Sequence, residues 1–188
     1  DPWTSEQKER LFQSMVQDYQ QGVRIFNISQ GSSRRNEYDF IQRFAELYPD
    51  ALLVIASGND HGNNNDEYPV YPASYDAPNI LSVASVNQLG VLSDFSNYGV
   101  NSVDIAAQGE DVLAAAPANR RASMTGTSFA APQVTRVAAL LKACHPTWSP
   151  AQLIQHVIDT AEPHPSLSGK VRSGGYLNAE RALQHCTE

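Results

Sequence analysis

A run of small residues, Thr125-Gly126-Thr127-Ser128, leads straight into an apolar segment, Phe129 to Ala143, made mostly of Ala, Val and Leu. Fifteen residues of that composition predict a helix buried on nearly all sides. Ser128 then stands at or just before the first turn. Pro132 fits near a helix start, where the backbone donor it lacks would have found no partner. A serine in this place has two readings. It is either an N-cap, its hydroxyl accepting from a free backbone N–H, or a nucleophile facing backbone donors and the positive end of a helix dipole. The nucleophile elbow of α/β-hydrolases is excluded, because it needs Gly two residues after the serine, where this chain has Ala130.

The rest of the chain alternates in period. Thr4 or Ser5 can cap a helix running from Gln7 to Gln21, with Leu11 and Met15, joined by Phe12 and Tyr19, on its apolar side. Val23–Ile28 reads as a strand, and Tyr38–Tyr48 as a helix whose stripe is Phe40, Ile41, Phe44 and Leu47. Ala51–Ala56 is a wholly apolar strand of the kind buried in a parallel sheet. Ile80–Val86 and Val103–Ala107 are further strands, and Val112–Ala116 with Arg121–Thr125 a hairpin. Ser149 and Pro150 open a helix over 151–160 as N-cap and N1. Residues 162–175 read as an irregular loop, and Asn178 caps a last helix through His185. This order predicts an α/β fold with a mostly parallel sheet flanked by helices. In such sheets ligands gather at the carboxyl ends of strands, which here lead into Ser29-Gln30-Gly31 and Ser57-Gly58-Asn59.

The 188 residues, 41% hydrophobic and 18% charged, suit one folded domain. The net charge of −7 comes with no basic patch, which argues against nucleic-acid binding. No apolar run is long enough for a membrane span. No signal peptide is visible, and any signal would lie upstream of Asp1. The two cysteines, Cys144 and Cys186, fit no zinc spacing. They are either a bridge between two helix ends or a pair of buried thiols.

Gly126-Thr127-Ser128-Phe129-Ala130-Ala131-Pro132-Gln133-Val134 resembles the nucleophile motif of the subtilisin-like serine proteases, the subtilases, with Gln133 where the family most often has His. Further segments carry the resemblance from about Ile25 to His185. Ser29-Gln30-Gly31 is similar to the strand end lining the family's substrate groove, with Gln30 a departure. Ala56-Ser57-Gly58-Asn59 is similar to the segment whose Asn donates to the oxyanion. Tyr71-Pro72-Ala73 resembles a turn often built on a cis proline. Asp94–Gly99 resembles the Phe-Ser-Asn-x-Gly turn, and Ala106–Gly109 the Ala-Pro-Gly segment, with Gln108 for Pro.

The resemblance implies a three-layer subtilisin-like fold lacking its N-terminal part, with residues 1–188 the C-terminal part of one catalytic domain. It implies a serine endopeptidase in which Ser128 attacks a polypeptide substrate and Asn59 with the Ser128 N–H stabilises the oxyanion. Ser29, Gln30, Gly31, Ala56, Ser57, Gly58 and Thr127 would line the substrate groove. Taken alone, Asn59 reads equally as a turn residue in Ser-Gly-Asn-Asp. The family's Asp and His motifs are absent, so the base is expected from an upstream segment or a separate chain, and this chain alone is expected to be inactive. Of His61, His145, His156, His164 and His185, only His61 lies near Asn59, and a neighbour in that loop is expected to point away. The other reading is an inactive subtilase-like module that docks peptides. A pro-segment or inhibitor is a further partner the resemblance leaves open, and a secreted life follows from it. No metal ligand set is readable and no cofactor is assigned. The resemblance does raise a structural calcium or alkali cation near carbonyls of Ala73 and Tyr75, joined by Asp104. Arg136, inside the apolar helix, must reach solvent or meet a carboxylate, because an unpaired charge does not stay buried.

Overall fold

The structure, a computed structural model, describes residues 3–184 and 186. Helix α1 spans Ser5–Gln20 and opens with a reciprocal cap: Thr4 Oγ1 accepts from Gln7 N, and the Gln7 side chain accepts from Thr4 N. Two donors that a helix start leaves free are thereby satisfied. Strand β1 (Ile25–Ile28), helix α2 (Asp39–Leu47), strands β2 (Leu52–Ala56), β3 (Ile80–Val86) and β4 (Ile105–Gln108) follow. Strands β5 (Val112–Ala116) and β6 (Arg120–Met124) form an antiparallel hairpin that leads into α3 (Thr127–Cys144). Helix α4 (Pro150–Asp159) starts as expected, with Ser149 as N-cap and Pro150 in the first turn. Two short strands, β7 (Glu162–Pro163) and β8 (Gly175–Tyr176), and the four-residue helix α5 (Ala179–Ala182) complete the order.

The main sheet runs β1-β2-β3-β4-β8-β7, parallel throughout except for the last pair. Side chains alternate faces along a strand. Leu52, Val54 and Ala56 pack with α3 and α4, through Ala130, Val134, Ala138, Leu141 and Leu153. Leu53 and Ile55 pack the other way, onto Phe12 of α1 and Phe40, Ile41 and Phe44 of α2. Both faces are covered, which is why β2 carries no polar residue. The second core centres on the fully buried Phe44, whose ring lies 5.1 Å from Phe26 and 4.8 Å from Tyr48, centroid to centroid. The result is a three-layer α/β architecture, as the alternation predicts.

Several expectations are corrected. Residues 162–175 are not wholly irregular, since they hold β7 and a 3-10 turn, Pro165–Leu167. A two-residue strand has no periodicity to read. The last helix stops at Ala182, and His185 lies outside the described residues. On α1 the buried residue is Phe12, while Leu11 is 37% exposed, and on α2 Leu47 is 58% exposed. Helix α3 is not buried on all sides: Pro132, Arg136, Ala139, Leu140 and Ala143 share an exposed face. Alanine is as comfortable in water as in a core, so composition hid that face. Arg136 reaches solvent along it, as the cost of burying an unpaired charge requires. The cysteines, left open by the sequence, form a disulfide from the end of α3 to Cys186, with Cα atoms 5.4 Å apart.

Candidate active site

The parallel strands place three loops at one end of the sheet. The loop after β1 brings Ser29-Gln30-Gly31, the loop after β2 brings Gly58-Asn59, and the turn after the hairpin brings Thr127-Ser128. All these residues line one cleft of about 690 Å³, together with Ala56, Asp60 and Val70. Of the residues expected there, only Ser57 is absent. It is wholly buried below the floor, its hydroxyl donating to Asn97 O at 3.0 Å. The alternation along β2 explains this, because residues next to one another point to opposite sides.

Ser128 is the second residue of α3 and half-buried, so its N–H is among those a helix start leaves without an intrahelical acceptor. The N-cap residue of the helix is Gly126, at φ +147°, which has no side chain to cap with. Ser128 is therefore free of the capping role. Its Oγ donates to Ser29 O at 3.4 Å, and no histidine lines the cleft among the described residues.

Asn59 has a fixed orientation. Its Oδ1 accepts from Thr127 N and from Thr127 Oγ1, both at 2.9 Å. A carbonyl oxygen held by two donors turns the other end of the amide away from them. Nδ2 makes no hydrogen bond among the described residues and is left to the cleft that Asn59 and Ser128 share. Thr127, expected as a lining residue, thus also sets the Asn59 rotamer.

The loop carrying Asn59 is clamped from beneath by Asn97, which is wholly buried. Asn97 Nδ2 donates to Ser57 O at 3.2 Å, to Asp60 Oδ2 at 2.8 Å and to Asn65 Oδ1 at 3.1 Å, while Asp60 N donates to Asn97 Oδ1 at 2.7 Å. Gly58 sits at φ +114°, and a Cβ there would collide with the Asn97 amide. Only glycine tolerates both conditions. On the opposite wall, Ser32 and Tyr71 exchange backbone hydrogen bonds at 2.8 and 2.7 Å, beside the cis Tyr71–Pro72 bond. Val70 closes the slot next to Gly31, whose Cβ position would lie 3.1 Å from Val70 Cγ1.

Two departures noted in the sequence meet one another: Gln133 Nε2 donates to the carbonyl of Gln108. The four described histidines stay away from the cleft. His145 stacks on Trp148 at 3.9 Å, His156 Nε2 bonds Ala182 O at 2.9 Å, and His164 Nδ1 pairs with Ser166 Oγ at 2.9 Å. His61 is exposed at φ +53° in the loop after Asn59.

Asn97, Asn65 and Val70 were not among the residues assigned to the site. The Phe-Ser-Asn-Tyr-Gly turn containing Asn97 was visible as a motif, but its contact across 40 residues with Ser57 is a property of the fold.

The fold and this cleft define an α/β protein in which a serine at a helix start and an oriented amide line the same cleft. A sequence profile described as the subtilase family matches residues 2–182, and the chain belongs to that family. It is 37% identical over 163 residues to the halolysin-like extracellular serine protease Nep of Natrialba magadii, covering 87% of this chain and 29% of that protein. It is 35% identical over 164 residues to alkaline elastase YaB of a Bacillus species, covering 87% and 41%. The chain thus spans less than half of either relative's length. Among solved structures, the prenylagaramide maturation protease PagA superposes with a TM-score of 0.74 at 30% identity, covering 96% of this chain and 68% of that one. The A-subunit of an AB5 toxin from E. coli gives 0.74 at 26% identity, covering 88% and 60%. The fold is therefore subtilisin-like as well as α/β.

Proposed function

We propose that the chain is the nucleophile-bearing part of a serine endopeptidase, residues 1–188 forming part of one catalytic domain. Ser128 Oγ attacks the carbonyl carbon of a bound peptide while its proton passes to a histidine base. The C–N bond then breaks as the amine leaves with that proton, and water hydrolyses the acyl-enzyme. Asn59 Nδ2 and the Ser128 N–H donate to the oxyanion. Losing one such donor costs about 10²–10³ in rate, a magnitude measured on a subtilisin.

The observation that carries this reading is an amide whose orientation Thr127 fixes, lining the same cleft as Ser128. A serine that merely capped a helix would need no such partner, and here the N-cap position belongs to Gly126 rather than to Ser128. The base and its carboxylate come from a segment outside this chain. Two features support a neighbour there: among the described residues β1 is an edge strand with one unpaired side, and α3 carries an exposed, largely apolar face. The disulfide and the extracellular relative support secretion.

Fluorophosphonate labelling with peptide mapping tests the reading, on this chain alone and on the chain made with its upstream sequence. Ser128 labelled only in the second sample is the expected result. No label in either sample would leave the second reading, an inactive peptide-docking module. That reading draws on the Ser128 hydroxyl being engaged, among the described residues, by a backbone carbonyl alone.

A further inference from the structure

The resemblance raises a structural cation near Ala73 and Tyr75 with Asp104 as its carboxylate, and the residues present do not fit one. Both oxygens of Asp104 are already engaged. Oδ2 accepts from Ser82 N at 2.8 Å, and Oδ1 meets Arg172 Nη1 at 3.2 Å. The Asp104 side chain is 13% exposed, so its single negative charge is the main one this wall offers. Arg172 does not arrive there by chance rotation. Its backbone N–H donates to Val103 O at 2.8 Å, and the next N–H, of Ser173, donates to Asp104 O at 2.9 Å. The segment is laced to the start of β4, with the guanidinium held over the carboxylate.

Ala73, Tyr75, Asp104 and Arg172 line a common cleft of about 720 Å³. Two further carboxylates lie along it. Asp66 is consumed by the backbone and side-chain donors of Asn101 and Ser102 at 2.7–3.2 Å. Asp76 is exposed. Among the described residues no group of three or more His, Cys, Asp or Glu is placed to hold a metal. Hard cations need several oxygens and uncompensated negative charge. A cation entering here would find one carboxylate already neutralised and a fixed positive charge beside it, and like charges a few ångströms apart repel.

We infer that the Arg172 guanidinium is a built-in counter-ion that closes this position to calcium and alkali ions, tying the segment before β8 to the start of β4 without a metal. Removing it uncovers Asp104, with the Ala73 and Tyr75 loop and Asp76 alongside. The prediction is a gain of function: an Arg172→Ala protein acquires a cation response that the natural one lacks.

The test is thermal unfolding of the full chain, with its upstream sequence, at constant ionic strength set by choline chloride. Chelator, potassium and calcium are compared for the wild type, Arg172→Ala, and the double variant Arg172→Ala/Asp104→Ala. Cation sites elsewhere act equally on all three, so the readout is the difference between proteins. Arg172→Ala is expected to melt about 2–4 °C lower in chelator and to recover most of that loss in potassium or calcium. The wild type should respond no more than the double variant. A wild type that gains more from either ion than the double variant does would overturn the inference, because a cation would then be bound despite Arg172. So would an Arg172→Ala protein that gains no more than the double variant. Arg172→Lys, which keeps the charge, should stay as unresponsive as the wild type.

Discussion

Ser29 and Ser128 exchange hydrogen bonds across 99 residues: Ser29 Oγ donates to Ser128 O at 3.2 Å, and Ser128 Oγ donates to Ser29 O at 3.4 Å. The first bond has a cause in the sequence. In a helix the carbonyl of residue 128 is normally served by the N–H of residue 132, and residue 132 is a proline with none. The end of β1 supplies the missing donor. Pro132, tolerated near the helix start, thereby couples the position of Ser128 to the strand that forms the cleft wall.

Ser29→Ala should leave the Ser128 carbonyl without that donor. The expected loss is about 1 kcal/mol in denaturant unfolding, the net worth of an ordinary hydrogen bond. Labelling of Ser128 by fluorophosphonate, in the chain made with its upstream sequence, should slow. Unchanged labelling would show that Pro132 and Ser29 meet without consequence for the nucleophile.

Asn97→Ala should be more severe. It strips four hydrogen bonds from the loop that carries Asn59. Ser57 O keeps Asn65 Nδ2 and Asn65 Oδ1 keeps Asn63 Nδ2, so the Asp60 N–H is the group left without its partner, at about 1–3 kcal/mol, with about 1 kcal/mol for each further bond lost. Denaturant unfolding measures the loss, and Ser128 labelling should fall with it because the Asn59 amide is no longer fixed. Asn97→Asp, which keeps an acceptor for Asp60 N but sets a buried carboxylate oxygen against Asp60 Oδ2, Ser57 O and Asn65 Oδ1, should be at least as destabilising as Asn97→Ala. A variant with wild-type stability would remove Asn97 from its clamping role.

How far these features were legible follows the range of the contacts. The buried strand β2 was readable because an unbroken apolar run has few other homes. The cap of α4 was readable because Ser149-Pro150 acts within one turn. The Ser128 motif was readable because nine consecutive residues carry it. What stayed hidden depends on distant partners. Ser57 and Asn59 are two residues apart, yet one is buried under Asn97 and the other lines the cleft. Arg172 stands in a stretch that read as plain loop, and only the pairing of β8 with β4 puts it against Asp104. The open face of α3 was invisible because alanine does not report which side faces water.

The disulfide should matter to stability more than to the cleft. It closes a loop of 42 residues between the end of α3 and Cys186. Chain-entropy arguments assign loops of this size about 2–4 kcal/mol. A Cys144→Ser/Cys186→Ser variant should lose that much in denaturant unfolding, while retaining Ser128 labelling under native conditions. Equal stability of the reduced and oxidised forms would contradict it.

Tyr75 makes a pH prediction. Burial pushes its phenol up to about 12, with the charge of Asp39 adding to the effect and Arg35 opposing it. Its hydroxyl donates to Arg35 O. The unfolded phenol ionises near 10, so between about 10 and 12 the unfolded chain loses a proton that the folded one keeps. The contribution is present in full below pH 10 and is lost as pH rises through 12. Tyr75→Phe should reduce the alkaline slope of stability by about one proton in that window. Slopes that coincide for the two proteins would refute the shift.

The charge of the cleft gives a prediction about substrate choice. Asp60 and Glu67 line it, and no Lys, Arg or His does among the described residues. Each carboxylate accepts one amide donor, from Asn97 and Asn64 respectively, and neither is paired with a cation among the described residues. A peptide offering Lys or Arg to this slot should therefore be cleaved faster than one offering Glu, by the full chain with its upstream sequence. Opposite charges about 4 Å apart in water gain about 1 kcal/mol, roughly fivefold in kcat/KM. Asp60→Asn keeps an oxygen for Asn97 and removes the charge, so it should narrow the Lys-to-Glu ratio by about that factor. It should leave the rate on an uncharged peptide unchanged. Peptides ending in Glu cleaved as fast as those ending in Lys would show that the slot is filled without sensing Asp60 or Glu67.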